Sequence, residues 1–313
     1  IDRHLTTRGD KTAILFEPND PKEQAIHITY RQLHERVCKF ANVLKAQGIG
    51  KGDRVCIYLP MIPELAVAVL ACARIGAIHS VIFGGFSAQA IADRLDDAGA
   101  QFIVTCDGAF RGAKDIPLKS VVDAALVGNK TIQKVIVCMR TGTTVSMLQG
   151  RDVWWEDEIE KVKAMGNPAV PAAAMDAEDI LFILYTSGST GKPKGVVHTT
   201  AGYMVWTNYT FVNVFQYQPG QVHFCTADIG WITGHSFIVY GPLALCASSV
   251  IYEGVPTYPD AGRSWRIAQE LDVNIFHTAP TAIRALRKLG PEEPAKYNYH
   301  FKHMTTVGEP IAP

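Results

Sequence analysis

The chain has 313 residues, 48% hydrophobic and 19% charged, which is enough apolar material for a large buried core and unlike the composition of a disordered chain. Lys plus Arg (30) balances Asp plus Glu (30), so the basic footprint needed for nucleic acid or an anionic membrane surface is missing, and any bound anion must be held by a few donors gathered in one place. The 7 cysteines form no CxxC pair and lie mostly in apolar runs, as buried free thiols of a reducing compartment do, which points to the cytoplasm. No charged segment followed by an apolar one opens the chain, so no signal peptide is expected.

In chain order the pattern alternates strand and helix. Thr29 opens a helix through a T-x-x-Q capping box with Gln32; Tyr30, Leu33, Val37, Phe40, Ala41 and Leu44 form its apolar face, and Gly48 stops it. Arg54 to Leu59 predicts a strand, and Pro63 starts a second helix that ends at Gly76. Ile78 to Phe83 predicts another strand, Ser87 caps a helix to about Asp97, and strands follow at Phe102 to Cys106 and Lys134 to Cys138. Residues 140–179 lose this rhythm, and the Pro/Ala-rich stretch from Asn167 to Ala174 reads as a connector.

Ile180 to Tyr185 is a continuous apolar run, as in a strand buried on both faces of a parallel sheet, and a helix is predicted from about Thr200. Ile229 to Tyr252 carries no Asp, Glu, Lys or Arg and is long enough to span a bilayer. Gly230, Gly234, Gly241 and Pro242 interrupt it, so it reads as loop, core helix and strand. Ser249 to Tyr252 and Val273 to His277 predict strands, and Pro280 starts a helix to Leu289. The expected fold is α/β, with two lobes built on mostly parallel sheets flanked by helices: residues 1–165, and residues 166–313 with a phosphate loop.

That loop comprises Thr186, Ser187, Gly188, Ser189, Thr190, Gly191, Lys192 and Lys194, placed where a buried strand ends and a helix is expected to begin. Its glycines let backbone N–H groups turn inward, the hydroxyls add donors, and the two lysines add charge, which together make a cradle for a polyphosphate. It is not a Walker A loop, because position 186 is Thr and Pro193 follows Lys192. A merely flexible Gly/Ser surface loop is the alternative, and the buried strand directly before it argues against that.

The run YTSGSTGKPKG resembles the phosphate-loop signature of the adenylate-forming superfamily, which includes acyl-CoA synthetases, luciferases and peptide-synthetase adenylation domains. Within it, the segments TADIGWITGHS (226–236), YGPL (240–243), YEGVP (252–256), TAPTAIR (278–284), VGEPI (307–311), FGGFS (83–87) and RGAK (111–114) resemble the AMP-forming acetyl-CoA synthetases, and the likeness covers essentially the whole chain.

The resemblance implies a two-step reaction in which acetate and ATP give acetyl-AMP and pyrophosphate, and CoA then takes the acetyl group and releases AMP. It implies Mg2+ as well, held mostly by the nucleotide and by residues outside this chain. Gly308, Glu309 and Pro310 match the adenine-binding turn, with Glu309 in a structural role. Trp231, Ile232, Thr233 and Val307 match the acyl pocket, whose branched side chains leave room for a methyl or ethyl tail. Phe83, Gly84, Gly85, Arg111, Gly112, Ala113, Lys114, Thr233, Thr257 and Ala279 match the CoA path. Lys114 stands where many members carry Arg, giving a point charge instead of a bidentate fork, and Thr257 stands where some carry Asn. The catalytic Lys, a tryptophan that closes the acyl pocket and a small C-terminal domain are expected beyond Pro313. Partners are therefore expected to be acetate, ATP and CoA, with no nucleic acid and no membrane. His198, His235 and His277 read as satisfied core or loop histidines, and no metal site is expected within the chain. A propionate–CoA ligase, and a nucleotide-binding piece inactive by itself, remain as alternatives.

Overall fold

The structure, a computed structural model, describes residues 1–186 and 193–311. Its helices begin and end where local chemistry requires. At the start of helix Tyr30–Ala46 the Gln32 N–H donates to the Thr29 hydroxyl at 3.2 Å while the Thr29 N–H donates to Gln32 Oε1 at 2.9 Å. The apolar face expected for this helix is buried throughout, and Gly48 turns the chain at φ +88°. Helix Pro63–Ile75 packs beside it, with Pro63 in its first turn and Gly76 as a left-handed cap at φ +75°. A third helix, Trp155–Ala164, is fixed to the first by Phe40 and Trp155, whose rings stack with centroids 3.5 Å apart. Burying an aromatic side chain of this size contributes about 1.5–3 kcal/mol.

The strands are β1 (Thr12–Glu17), β2 (Ile26–Thr29), β3 (Arg54–Ile57), β4 (Ile78–Val81), β5 (Phe102–Cys106), β6 (Ala109–Arg111), β7 (Lys114–Ile116), β8 (Lys134–Cys138), β9 (Asp152–Trp154), β10 (Ile180–Thr186), β11 (Lys194–Thr199), β12 (Val222–Cys225), β13 (Ser248–Tyr252), β14 (Val273–Thr278) and β15 (His303–Thr306). One sheet has the order β15-β14-β12-β13-β1-β2 and the other β11-β10-β4-β3-β5-β8-β9, while β6 and β7 form a separate hairpin. All neighbours within the two sheets are parallel except β1/β2 and β10/β11. The α/β class and the flanking helices agree with the sequence reading.

Three expectations are corrected. The sheets do not divide at residue 165: β1, with β2 on its other edge, pairs with β13 of the later half, and β10 joins β4 through Phe182 and His79. Such pairings join residues far apart along the chain and leave no mark in local periodicity. Next, a strand not expected from the sequence, β11, stands between the Gly/Ser-rich segment and the helix expected from about Thr200, and it pairs antiparallel with β10, Thr186 opposite Lys194. Pro193 and the β-branched pair Val196 and Val197 favour extended backbone there, and the helix Thr200–Asn213 starts only after β11. Finally, residues 140–179, over which the strand–helix rhythm is expected to lapse, hold β9 followed by helix Trp155–Ala164.

Candidate active site

Most of the residues singled out above lie at or just after the carboxyl ends of strands, which is where ligands bind in open α/β sheets. Phe83 to Gly85 follow β4, Arg111 ends β6, Trp231 to Thr233 follow β12, Thr257 follows β13, Ala279 follows β14, and Val307 to Pro310 follow β15. Thr186 ends β10 and Lys194 begins β11; Ser187, Gly188, Ser189, Thr190, Gly191 and Lys192 lie outside the described residues.

A cavity of about 200 Å³ opens among these ends, lined in part by Phe83, Gly84, Arg111, Thr226, Asp228 and Glu253. The Arg111 guanidinium lies 5.4 Å from the centroid of the Phe83 ring, and that ring lies 6.0 Å from Trp231. Thus Phe83, Gly84 and Arg111 of the predicted CoA set share one place with Trp231 of the predicted acyl set. Their closeness depends on Gly230, where an added Cβ would stand 2.9 Å from the Phe83 Cα.

Trp231 and Ile232 are 40% and 37% exposed at the start of the helical turn Ile232–Gly234, and the six residues after that turn, His235–Tyr240, wind as one buried π turn. Gly234 packs so tightly beneath this turn that any side chain would collide with the Asp228 carbonyl. The His235 Nδ1–H donates to the Trp231 carbonyl at 3.2 Å, and burial pulls the imidazole down to about 4, so the ring is neutral.

Other imidazoles share that character. His79 lies against Phe182 and His235 and meets the Tyr240 hydroxyl through Nε2 at 2.6 Å, while His223 and His277 are lowered by burial to about 3 and about 4. The expectation of satisfied histidines at 235 and 277 holds at one ring nitrogen each: His235 Nε2 and His277 Nε2 are buried without a hydrogen-bond partner among the described residues, as are His79 Nδ1 and both ring nitrogens of His223. His277 Nδ1 does meet the Thr305 hydroxyl at 2.7 Å.

Val307 continues the β14/β15 ladder by donating its N–H to the Thr278 carbonyl at 3.1 Å. Gly308 then turns at φ +89°, a left-handed position that favours glycine. The Glu309 carboxylate folds onto the start of helix Pro280–Leu289, accepting the Thr281 N–H at 2.7 Å, the Thr281 hydroxyl and the Arg284 guanidinium. Ala279, the residue before that helix, has no side chain with which to cap it, and Glu309 supplies the missing acceptor. Lys114, Ala113, Gly85, Lys194, Pro310 and Thr257 are exposed, Ala279 and Thr233 are half-buried, and Gly112, in the hairpin turn, is buried.

Sequence reasoning did not single out Asp228, although it lies in the 226–236 segment. Desolvation pushes its carboxyl up to about 6, against the Gly230 N–H at 2.6 Å and the Arg111 charge. Nor did it find the pair behind the phosphate segment, where Tyr185 donates its hydroxyl to Asp97 at 2.7 Å and Arg94 lies over the Phe86 and Tyr185 rings. No spacing rule ties residues so far apart.

Fold and site together define an α/β domain with a cavity at the carboxyl ends of two sheets. Residues 1–313 match the family described as AMP-binding enzyme, and the chain belongs to that family. It is 56% identical over 314 residues to the acetyl-coenzyme A synthetase of Halorhodospira halophila and 54% identical over 314 residues to that of Alkalilimnicola ehrlichii, covering all of this chain and 48% of each relative. It is 52% identical to a protein of the same name from Nostoc linckia, covering 92% of that relative. The chain thus spans about half the length of the first two.

Proposed function

We propose that the full-length protein activates acetate with ATP and transfers the acetyl group to CoA. An acetate oxygen attacks the α-phosphorus, the bond to the β-phosphate breaks, and pyrophosphate leaves with its electrons. The CoA sulfur then attacks the acetyl carbon, and AMP leaves with the bridging oxygen. The first step needs no general base, because a carboxylate is already ionised at pH 7. The reading is carried by Phe83, which meets Trp231 on one side and Arg111 on the other, beside the cavity that Phe83 and Arg111 line. It is supported by the names of relatives more than half identical to this chain.

In this reading Ile232 and Val307 flank the methyl group, Gly308 and Pro310 meet adenine, and Glu309 holds their turn. The segment from Thr186 to Lys194 holds the polyphosphate, where each charge-assisted hydrogen bond contributes about 1.5–3 kcal/mol. Arg111 and Lys114 meet the phosphates of CoA; Gly84 and Gly85, with Thr233, Thr257 and Ala279, border its thin arm. Mg2+ travels with the phosphate oxygens of ATP; among the described residues no three His, Cys, Asp or Glu side chains come together to hold a metal. A reducing compartment such as the cytoplasm suits seven buried free cysteines. No helix among the described residues is long and apolar enough to cross a membrane. Oxygen-18 acetate given to the full-length enzyme with ATP and CoA tests the chemistry. Label appearing in AMP supports attack on the α-phosphorus; label absent from AMP contradicts it.

A further inference from the structure

The β6–β7 hairpin carries Arg111 to Lys114 yet belongs to neither large sheet, so its height over the cavity depends on what grips its turn. Asn19 grips it. This side chain, in a residue 5% exposed and 93 positions away, donates Nδ2–H to the Gly112 carbonyl at 2.9 Å and accepts the Gly112 N–H on Oδ1 at 2.8 Å. A primary amide is the side chain that offers donor and acceptor side by side, so Asn19 pairs with Gly112 much as a neighbouring strand would. On its other side the turn rests against Val255 and Tyr258, whose atoms would lie 3.3 Å and 3.5 Å from a Cβ at Gly112.

Asn19 is fixed in its turn by buried charges. Its N–H donates to Glu253 Oε2 at 3.1 Å, and Arg140 grips the fully buried Glu253 carboxylate through Nε at 2.7 Å and Nη2 at 2.5 Å. The preceding residues are held by Arg263, which donates to the Pro18 carbonyl at 2.8 Å and pairs with Glu17 at 2.6 Å. The Arg140 guanidinium also lies 4.9 Å from the ring of Phe110 in β6. One cluster, anchored at the ends of β1 and β13, therefore holds the hairpin by its turn and by its first strand.

We propose that Asn19 is a positioning residue for CoA, setting the Arg111–Lys114 turn at the height where the phosphates of the thiol substrate meet it. The role rests on the acetate–CoA reading above. Replacing Asn19 by Ala strands the buried N–H and carbonyl of Gly112, and the turn is then free to shift while the rest of the site stays in place. Asn19→Asp keeps the acceptor for the Gly112 N–H but sets a buried carboxylate oxygen where the donor to the Gly112 carbonyl stood, so it disturbs the turn at least as much.

The test uses the full-length enzyme and three readouts: the KM for CoA, acetate-dependent exchange of pyrophosphate into ATP without CoA, and amide hydrogen exchange over 109–116. For Asn19→Ala the KM for CoA is expected to rise about tenfold, equivalent to about 1.4 kcal/mol. Pyrophosphate exchange stays unchanged and amide exchange at 109–116 quickens, with Asn19→Asp showing the same pattern at least as strongly. If the unaltered enzyme lacks acetate-dependent exchange, the acetate reading fails and takes the CoA role with it, a result separable from failure of Asn19 alone. An unchanged KM for CoA in both variants, or an equal loss of CoA affinity and pyrophosphate exchange, overturns the proposal.

Discussion

Gly230 lies against the backbone of Phe83, so that a methyl group on it would stand 2.9 Å from the Phe83 Cα and 3.1 Å from its nitrogen. Backbone cannot swing aside as a side chain can. Gly230→Ala should therefore cost about 1–3 kcal/mol through overpacking and should displace Phe83 and Gly84 from the cavity wall. Urea denaturation of the full-length protein beside its rate of acetyl-CoA formation checks both effects. An unchanged midpoint with an unchanged rate would mean that the two segments are not in contact.

The Asp228 carboxyl, pushed from 3.8 up to about 6 in the folded protein, predicts a pH effect of definite sign. Between these values the folded state binds more protons than the unfolded one, so stability falls as pH rises through the window. The full cost, about 3 kcal/mol at most, is present above it. Asp228→Asn keeps an acceptor for the Gly230 N–H and removes the charge, so the variant should gain stability relative to the parent between pH 4 and pH 8. Denaturation at the two pH values decides the point, and a constant difference between variant and parent would refute it.

Glu309 predicts the opposite sign. Bonds from Thr281 and Arg284 hold its carboxyl below the ordinary 4.5, so its stabilisation is present above that value and disappears as pH falls through the folded pKa. Glu309→Ala should loosen the start of helix Pro280–Leu289 at pH 7 and make no difference in strong acid. Hydrogen exchange across 281–285 reads this directly.

In the proposed reading Ile232 and Val307 lie beside the acyl tail. Replacing either by Gly in the full-length enzyme should shift preference from acetate towards propionate and butyrate, because one methylene in an apolar pocket is worth about 1–3 kcal/mol. A series of acids of increasing length measures the shift. Acetate remaining equally preferred in both variants would remove these side chains from the pocket.

Much of the fold was legible because its signals are local. The reciprocal Thr29–Gln32 cap, Pro63 before Gly76, and the apolar strand Phe102–Cys106 each declare themselves within a few residues. What was not legible depends on contacts between distant residues. The pairing of Ile14 with Ser249 puts the first strand into the sheet of the later half. The hairpin return at β11 was hidden because Val196 and Val197 are too short a run to distinguish strand from helix. At the site, the segments around Phe83, Arg111 and Trp231 could be read from the chain, and the structure brings those three side chains together. Asn19 could not be read, since an Asn-Asp-Pro stretch is by itself an ordinary turn. Only its contact with Gly112 gives it a part.

The central claim, that the full-length protein joins acetate to AMP before CoA takes part, is tested most directly by exchange of labelled pyrophosphate into ATP without CoA. The account predicts exchange that requires acetate and proceeds in the absence of CoA, because the acetyl-AMP step is complete in itself and reversible. Exchange that ignores acetate, or that begins only when CoA is added, would contradict it.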